Sequence, residues 1–218
     1  MEKSEFAKRY IINETGNELI KKIESLKPYA TEKLIKLWKD DIRNIDFLHY
    51  ASVKKLSELV DSMIFAIRQN NLTVCAILTR IAVDCCVRTY AGTLAADADD
   101  FVTKCILGET EFRDYKDVNG HKMTDKHLCE SFGQTTGIDI YGFYKKVCAY
   151  VHLSPKAFCG NTEVQDGNVV QFTIEEKEPP KAKEQMCNEL GQKFYFFGMC
   201  LLDWIVASWI LQKSEETP

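Results

Sequence analysis

The sequence predicts an all-α helical bundle carrying one small surface β-hairpin at about 162–174. Three observations predict it. Apolar residues recur at three- and four-residue steps along most of the chain, the signature of amphipathic helices. Only 11 glycines and 5 prolines punctuate 218 residues, too few for a loop-rich sandwich or a collagen-like repeat. One stretch alone, Val164 to Phe172, alternates on both sides of an Asp166-Gly167 turn.

Taken in order, Ser4 to Leu26 carries Phe6, Tyr10, Ile11, Leu19, Ile20 and Ile23 among charges, and Pro28 should end that helix. Thr31 then reads as the N-cap of a second helix through Leu34, Ile35, Leu37 and Trp38. Ala51 to Gln69 sets Val53, Leu56, Val60, Met63, Ile64 and Ile67 on one stripe. Leu72 to Ala96 is apolar almost all round, as the central helix of a bundle would be. Asp97 or Asp99 caps the next helix, which should end at Gly108. Residues 109–123 are polar and turn-rich; Thr124 caps a short helix to Phe132, and Asp139 another to His152. Pro179-Pro180 precedes a last helix over about 181–213.

A chain of this length predicts a single helical-bundle domain over 1–218, burying roughly 70% of its unfolded surface without a metal or disulfide staple. Lys+Arg 28 against Asp+Glu 32 gives a net charge of −4, so there is no global basic patch for DNA. Nine cysteines without a C-x-x-C pair, most of them in apolar periodic stretches, fit buried thiols in a reducing cytoplasm. The start MEKSEFAKRY has no apolar run of the secretory kind. Phe194 to Leu211 is nearly all apolar, but it is short for a membrane span. Asp203 would also sit near mid-bilayer at a cost of about 2.5–3.5 kcal/mol, so a buried bundle helix is the expectation.

No Gly-rich phosphate loop, H-E-x-x-H or G-x-S-x-G occurs. Tyr115-x-Asp117-x-Asn119-Gly120 has the spacing of a calcium loop, but Tyr115 and Lys126 stand where its first and bidentate ligands belong. His121, His127 and Cys129 lack an evident fourth ligand. No metal and no cofactor are expected.

The informative feature is on the central helix. Arg80, Asp84 and Arg88 are spaced i, i+4, i+8 and form one stripe among Ile77, Leu78, Ile81, Val83, Cys85 and Val87. A charge buried without a partner costs several kcal/mol, so the stripe must be paired or must line a cleft. It is either a structural ion-pair rail that fixes helix register or the floor of a polar pocket. The second feature is Tyr144 to Pro155, where His152 closes a helix at the end that favours an imidazolium and Ser154 before Pro155 reads as an N-cap.

The run Arg80-x-x-x-Asp84-x-x-x-Arg88-x-Tyr90-Ala91, then Asp125, then Tyr150-Val151-His152-Leu153-Ser154, resembles a group of uncharacterised bacterial all-helical proteins. More distantly it is similar to HEPN-type bundles, over roughly residues 72–160. Many HEPN-type proteins are RNases of toxin or phage-defence systems, with an active motif of Arg, four to six residues, then His. Here the positions before His152 hold Lys145 and Lys146, and a formal match stands at Arg43-Asn44-x-x-x-x-His49. The resemblance implies RNA or a nucleotide as partner, with a homodimer as the expected assembly. It implies His152, Arg80 and Asp84 as the catalytic group, with His152 moving the proton and Asp84 orienting it or Arg80. Arg88, Lys146 and Tyr150 would hold substrate. The alternatives are a non-catalytic interaction module whose Arg80–Asp84–Arg88 rail is purely architectural, and a membrane-anchored regulator.

Overall fold

The structure, a computed structural model, describes residues 3–38, 41–151, 162–165, 169–172 and 179–216. It is mostly helical. The helices are α1 (Lys3–Lys8), α2 (Gly16–Glu24), α3 (Leu26–Leu37), α4 (Asn44–Arg68), α5 (Leu72–Ala91), α6 (Ala98–Ile106), α7 (Asp125–Thr136) and α8 (Ile140–Val151). After them α9 (Pro180–Met199) continues through a π-helical segment, Cys200–Val206, into α10 (Ala207–Glu216). Strands Thr162–Gln165 and Val169–Phe172 pair antiparallel, Val164 opposite Val170. The turn residues expected between them lie outside the described residues.

The amino-terminal third departs from the sequence reading for identifiable reasons. The single helix expected over 4–26 is broken: α1 ends at Lys8 and α2 starts at Gly16, whose φ of +54° is a left-handed conformation that glycine reaches cheaply. Pro28 does not end a helix. It is the third residue of α3, where backbone N–H groups have no intrahelical acceptor to lose. Thr31 therefore falls inside α3, its hydroxyl donating to the Lys27 carbonyl at 3.1 Å, rather than capping it. Helix α4 begins seven residues earlier than its apolar stripe, because Asp46 accepts from the Arg43 N–H at 2.8 Å and closes the first turn.

Elsewhere side chains set the boundaries locally. Asn70 takes a φ of +49° and Asn71 caps α5, accepting from the Val74 N–H at 3.1 Å. Asp97 caps α6 through the Asp99 and Asp100 N–H groups at 2.9 and 3.0 Å. Thr124 caps α7 through the His127 N–H at 3.2 Å, and Gly137 ends α7 at a φ of 72°.

Helix α5 is the centre, packing against α4, α7, α8 and α9. Cys75, Ala76, Ala82, Val83, Cys86 and Val87 are fully or almost fully buried on it, which explains the absence of a polar face. Leu19, Ile23, Leu56, Met63, Phe132, Phe194 and Phe197 fill the same core from the neighbouring helices. None of the eight described cysteines is in a disulfide, and Cys75, Cys86, Cys129, Cys187 and Cys200 are buried; burial pushes the Cys85 thiol up to about 11.

The helix Pro180–Ser214 is long and apolar enough to cross a membrane, an 18-residue stretch of it having a mean hydropathy of 1.7, yet 56% of that stretch is buried inside the bundle. Asp203, in the π segment, accepts from the Tyr10 hydroxyl at 2.5 Å and from the Tyr29 hydroxyl. Both tyrosines are pushed above their ordinary pKa, by burial first and then by that carboxylate. The charge that argued against a span is thus satisfied inside the protein.

Candidate functional site

The α5 stripe is a network joining three helices. Arg80, on the third turn of α5, ion-pairs with Asp84 one turn on. Its Nη2 donates to the Tyr144 hydroxyl of α8 and lies 3.9 Å from Asp125 Oδ2 at the start of α7. Its Nε donates to Cys148 Sγ at 3.0 Å, and the guanidinium lies over the Tyr144 ring, 3.9 Å from its centroid. Tyr144 in turn donates to Asp125 Oδ2 at 2.7 Å. Burial, and then the bond to Asp125, raise the Tyr144 pKa above its ordinary value, so the phenol stays a donor. The Arg80 side chain is 16% exposed; Nε and Nη2 donate to protein acceptors, whereas Nη1 meets Asp84 as an ion pair and makes no hydrogen bond among the described residues.

Arg88 is different. Two turns further along α5, it is 42% exposed and meets Asp125 Oδ1 at 3.3 Å. Asp125 therefore bridges the buried and open ends of the stripe. Beyond Arg88 opens a cleft of about 890 Å³, lined by Phe112, Arg113, Thr124, Asp125 and Lys126 among others. The Arg88 guanidinium stands 5.6 Å from the Phe112 ring centroid. Arg113 pairs with Glu111 at 2.8 Å, and Lys126 lies 3.9 Å from Glu130. The cleft combines three cations, two carboxylates, a pair of threonines and an aromatic ring.

The six site residues suggested by the sequence are not one constellation. Arg80, Asp84 and Arg88 come together, with Asp125, Tyr144 and Cys148. Lys146 and Tyr150 instead line a separate groove of about 550 Å³ with Leu72, Phe143, Met186 and Lys193, between α8 and α9. His152 and Ser154 lie outside the described residues. The formal Arg43…His49 match does not form an open pair. Arg43 binds Asp99 at 3.0 Å and covers the Trp209 ring at 4.6 Å. His49 is buried, and burial above all, with the nearby Lys213, holds its pKa down to about 4. Beside it the fully buried Asp46 accepts from Trp209 Nε1 at 2.7 Å and from Lys213 Nζ at 2.8 Å, fastening α10 to α4.

Sequence reasoning missed Tyr144 and Cys148 as Arg80 partners; their i, i+4 spacing on an apolar helix was the available signal. It also missed Phe112 and Arg113, which sit in a stretch read only as turns. No family model, curated protein or solved structure matches the chain.

Proposed function

We propose that this protein is a cytoplasmic helical-bundle protein of the HEPN-like kind that binds a phosphate-bearing ligand, RNA or a nucleotide, in the cleft beyond Arg88. One observation carries the reading: the ion-pair network, closed at Arg80, opens at Arg88 and Asp125 onto a cleft that holds two further cations and an aromatic ring. Arginine and lysine neutralise phosphate, and an aromatic face accepts a base of any sequence. Arg80, Asp84, Asp125 and Tyr144 are the rigid back wall that aims Arg88, because pairing leaves Arg80 little to offer a ligand. In this reading the 162–172 strand pair is a surface hairpin, and a homodimer is the working assembly.

The test is equilibrium binding of a labelled single-stranded RNA and of ATP to the full chain. Arg88→Ala with Arg113→Ala should weaken binding at least tenfold, and Lys146→Ala should leave it unchanged. With about two phosphates neutralised, log Kobs should fall with log salt at a slope near −1.4. No binding, or binding indifferent to Arg88 and Arg113, refutes the proposal. If the protein also cleaves RNA, His152 is the proton-transfer residue to substitute, and His152→Ala should abolish cleavage while leaving binding in place.

The pairing of Arg80 with Asp84, Tyr144 and Cys148 favours a second reading, in which the rail is architectural and the chain a non-catalytic interaction module. That reading requires wild-type protein to bind neither ligand.

A further inference from the structure

The polar segment between α6 and α7 folds back on itself. The Asp117 N–H donates to the His121 carbonyl at 2.9 Å, the Met123 N–H donates to the Tyr115 carbonyl at 2.9 Å, and Gly120 makes the turn at a φ of 82°. Asp117 is thereby buried, its side chain 4% exposed. Its Oδ1 accepts from the Asn119 and His121 N–H groups at 2.9 and 2.8 Å, which fixes the carboxylate plane. The other oxygen, Oδ2, faces two imidazoles. His127 Nε2, from the first turn of α7, is 2.9 Å away, and His121 Nδ1 is 3.6 Å away.

One histidine would satisfy that oxygen. The second stands just beyond hydrogen-bond range, held there by the loop rather than by a bond. Two nitrogens and an oxygen within 4.8 Å of one another match a metal's coordination face better than a hydrogen-bond pair. With metal–ligand bonds of about 2.0–2.1 Å in tetrahedral geometry, neighbouring ligand atoms lie about 3.3–3.4 Å apart. The observed 2.9 and 3.6 Å bracket that value. The two rings are tilted 41° with centroids 5.3 Å apart, so both lone pairs can converge with little rotation.

From this geometry we infer that Asp117, His121 and His127 form a binding site for a divalent transition metal of the Zn²⁺ type, with three protein ligands and the remaining position open to solvent. The donor set is imidazole and carboxylate without thiolate, which suits Zn²⁺, Co²⁺ or Ni²⁺ rather than Ca²⁺ or Mg²⁺. His121, 66% exposed, leaves the outer side open to water. The α7 N-terminus places partial positive charge beside the ion, and the buried Asp117 charge offsets it. Lys122 is turned to Asp114 at 2.7 Å rather than to the cluster. A bound ion would cross-link the 115–123 loop to α7 next to the Thr124–Lys126 wall of the cleft. The site stands on different residues from the phosphate cleft and does not depend on it.

The test uses chelator-stripped full-length protein titrated with Zn²⁺ alone by calorimetry, then with Co²⁺ by visible absorption. One Zn²⁺ per chain should bind and raise the melting temperature. Co²⁺ should give d–d bands without a thiolate charge-transfer band. His121→Ala, at a ring 66% exposed, should weaken Zn²⁺ binding by more than the roughly 10–100-fold that outer-shell changes cost, with little change in the metal-free melting temperature. Asp117→Asn keeps the acceptor for the two backbone N–H groups and should weaken binding likewise. Absence of Zn²⁺ binding at micromolar metal overturns the inference. So does binding that His121→Ala leaves intact, or a cobalt spectrum dominated by thiolate ligation.

Discussion

Removing Asp84 and Asp125 singly and together measures what the stripe on α5 does for the fold. Arg80 is 16% exposed and Asp84 27%, so Asp84→Ala removes a partner from a mostly desolvated guanidinium. Stranding a buried charge completely costs about 3–5 kcal/mol. Arg80 is not stranded completely, because Asp125 Oδ2 remains 3.9 Å from Nη2. At an effective dielectric constant near 20, a unit charge at that distance attracts with about 4 kcal/mol before desolvation is counted. Asp84→Ala should therefore cost about 2 kcal/mol. Asp125→Ala should cost less, about 1 kcal/mol, since its side chain is 37% exposed and water screens what it does. The double variant removes both carboxylates that pair with Arg80 among the described residues and should lose about 5 kcal/mol, well above the sum of the singles. Urea unfolding followed by circular dichroism at neutral pH reads all three values, and the excess is the coupling. Single and double losses that are all below about 0.5 kcal/mol, or strictly additive, would refute the idea of a desolvated rail.

The remaining predictions concern other parts of the same bundle. His49 is held neutral, its pKa lowered by burial from 6.5 to about 4, so protonation favours the unfolded chain. Stability should be full above about pH 6.5 and decline by about 3 kcal/mol as pH falls to 4; His49→Phe should flatten that portion of the pH–stability curve. Asp46→Ala removes the buried carboxylate 2.8 Å from the Nζ of Lys213, whose side chain is 5% exposed, and should cost about 4 kcal/mol in urea unfolding. Gly191→Ala would put a methyl 2.7 Å from Ile67 Cδ1 and 3.0 Å from Leu19 Cδ2, so the ends of those two buried side chains must shift to admit it. A fall in melting temperature from a loss of about 1–3 kcal/mol is expected by calorimetry.

Where a helix boundary depends on one side chain, it was legible in the sequence. Asp97 and Thr124 cap as their types suggest, and the all-round apolar stretch expected over Leu72 to Ala96 is the central helix, although it ends at Ala91. Boundaries governed by backbone conformation were not legible. The apolar period over 4–26 does not show that the helix stops at Lys8 and restarts at Gly16 with a positive φ, and Pro28 looks the same in sequence at a helix start as at a helix end. The site was half legible for a related reason. Periodicity places Arg80, Asp84 and Arg88 on one face, but it cannot say which neighbouring helix offers Asp125 or Tyr144. Lys146 and Tyr150 fall on the α8 face toward α9, whereas Tyr144 and Cys148 turn to Arg80, a rotation that only the packed bundle fixes. The calcium-loop spacing around Asp117 fails at Tyr115 and Lys126, and that template gives no reason to join Asp117 to a histidine. Its relation to His121 and His127 emerges when the chain folds back.

The central claim, that the cleft beyond Arg88 takes a phosphate-bearing ligand, is tested most directly by hydrogen exchange of the full chain with and without a short single-stranded RNA. The account predicts slowed exchange concentrated in residues 108–126, around Phe112, Arg113 and Thr124, and lost on Arg88→Ala. Slowed exchange confined to the 143–150 and 186–193 groove, or none at saturating RNA, would contradict it.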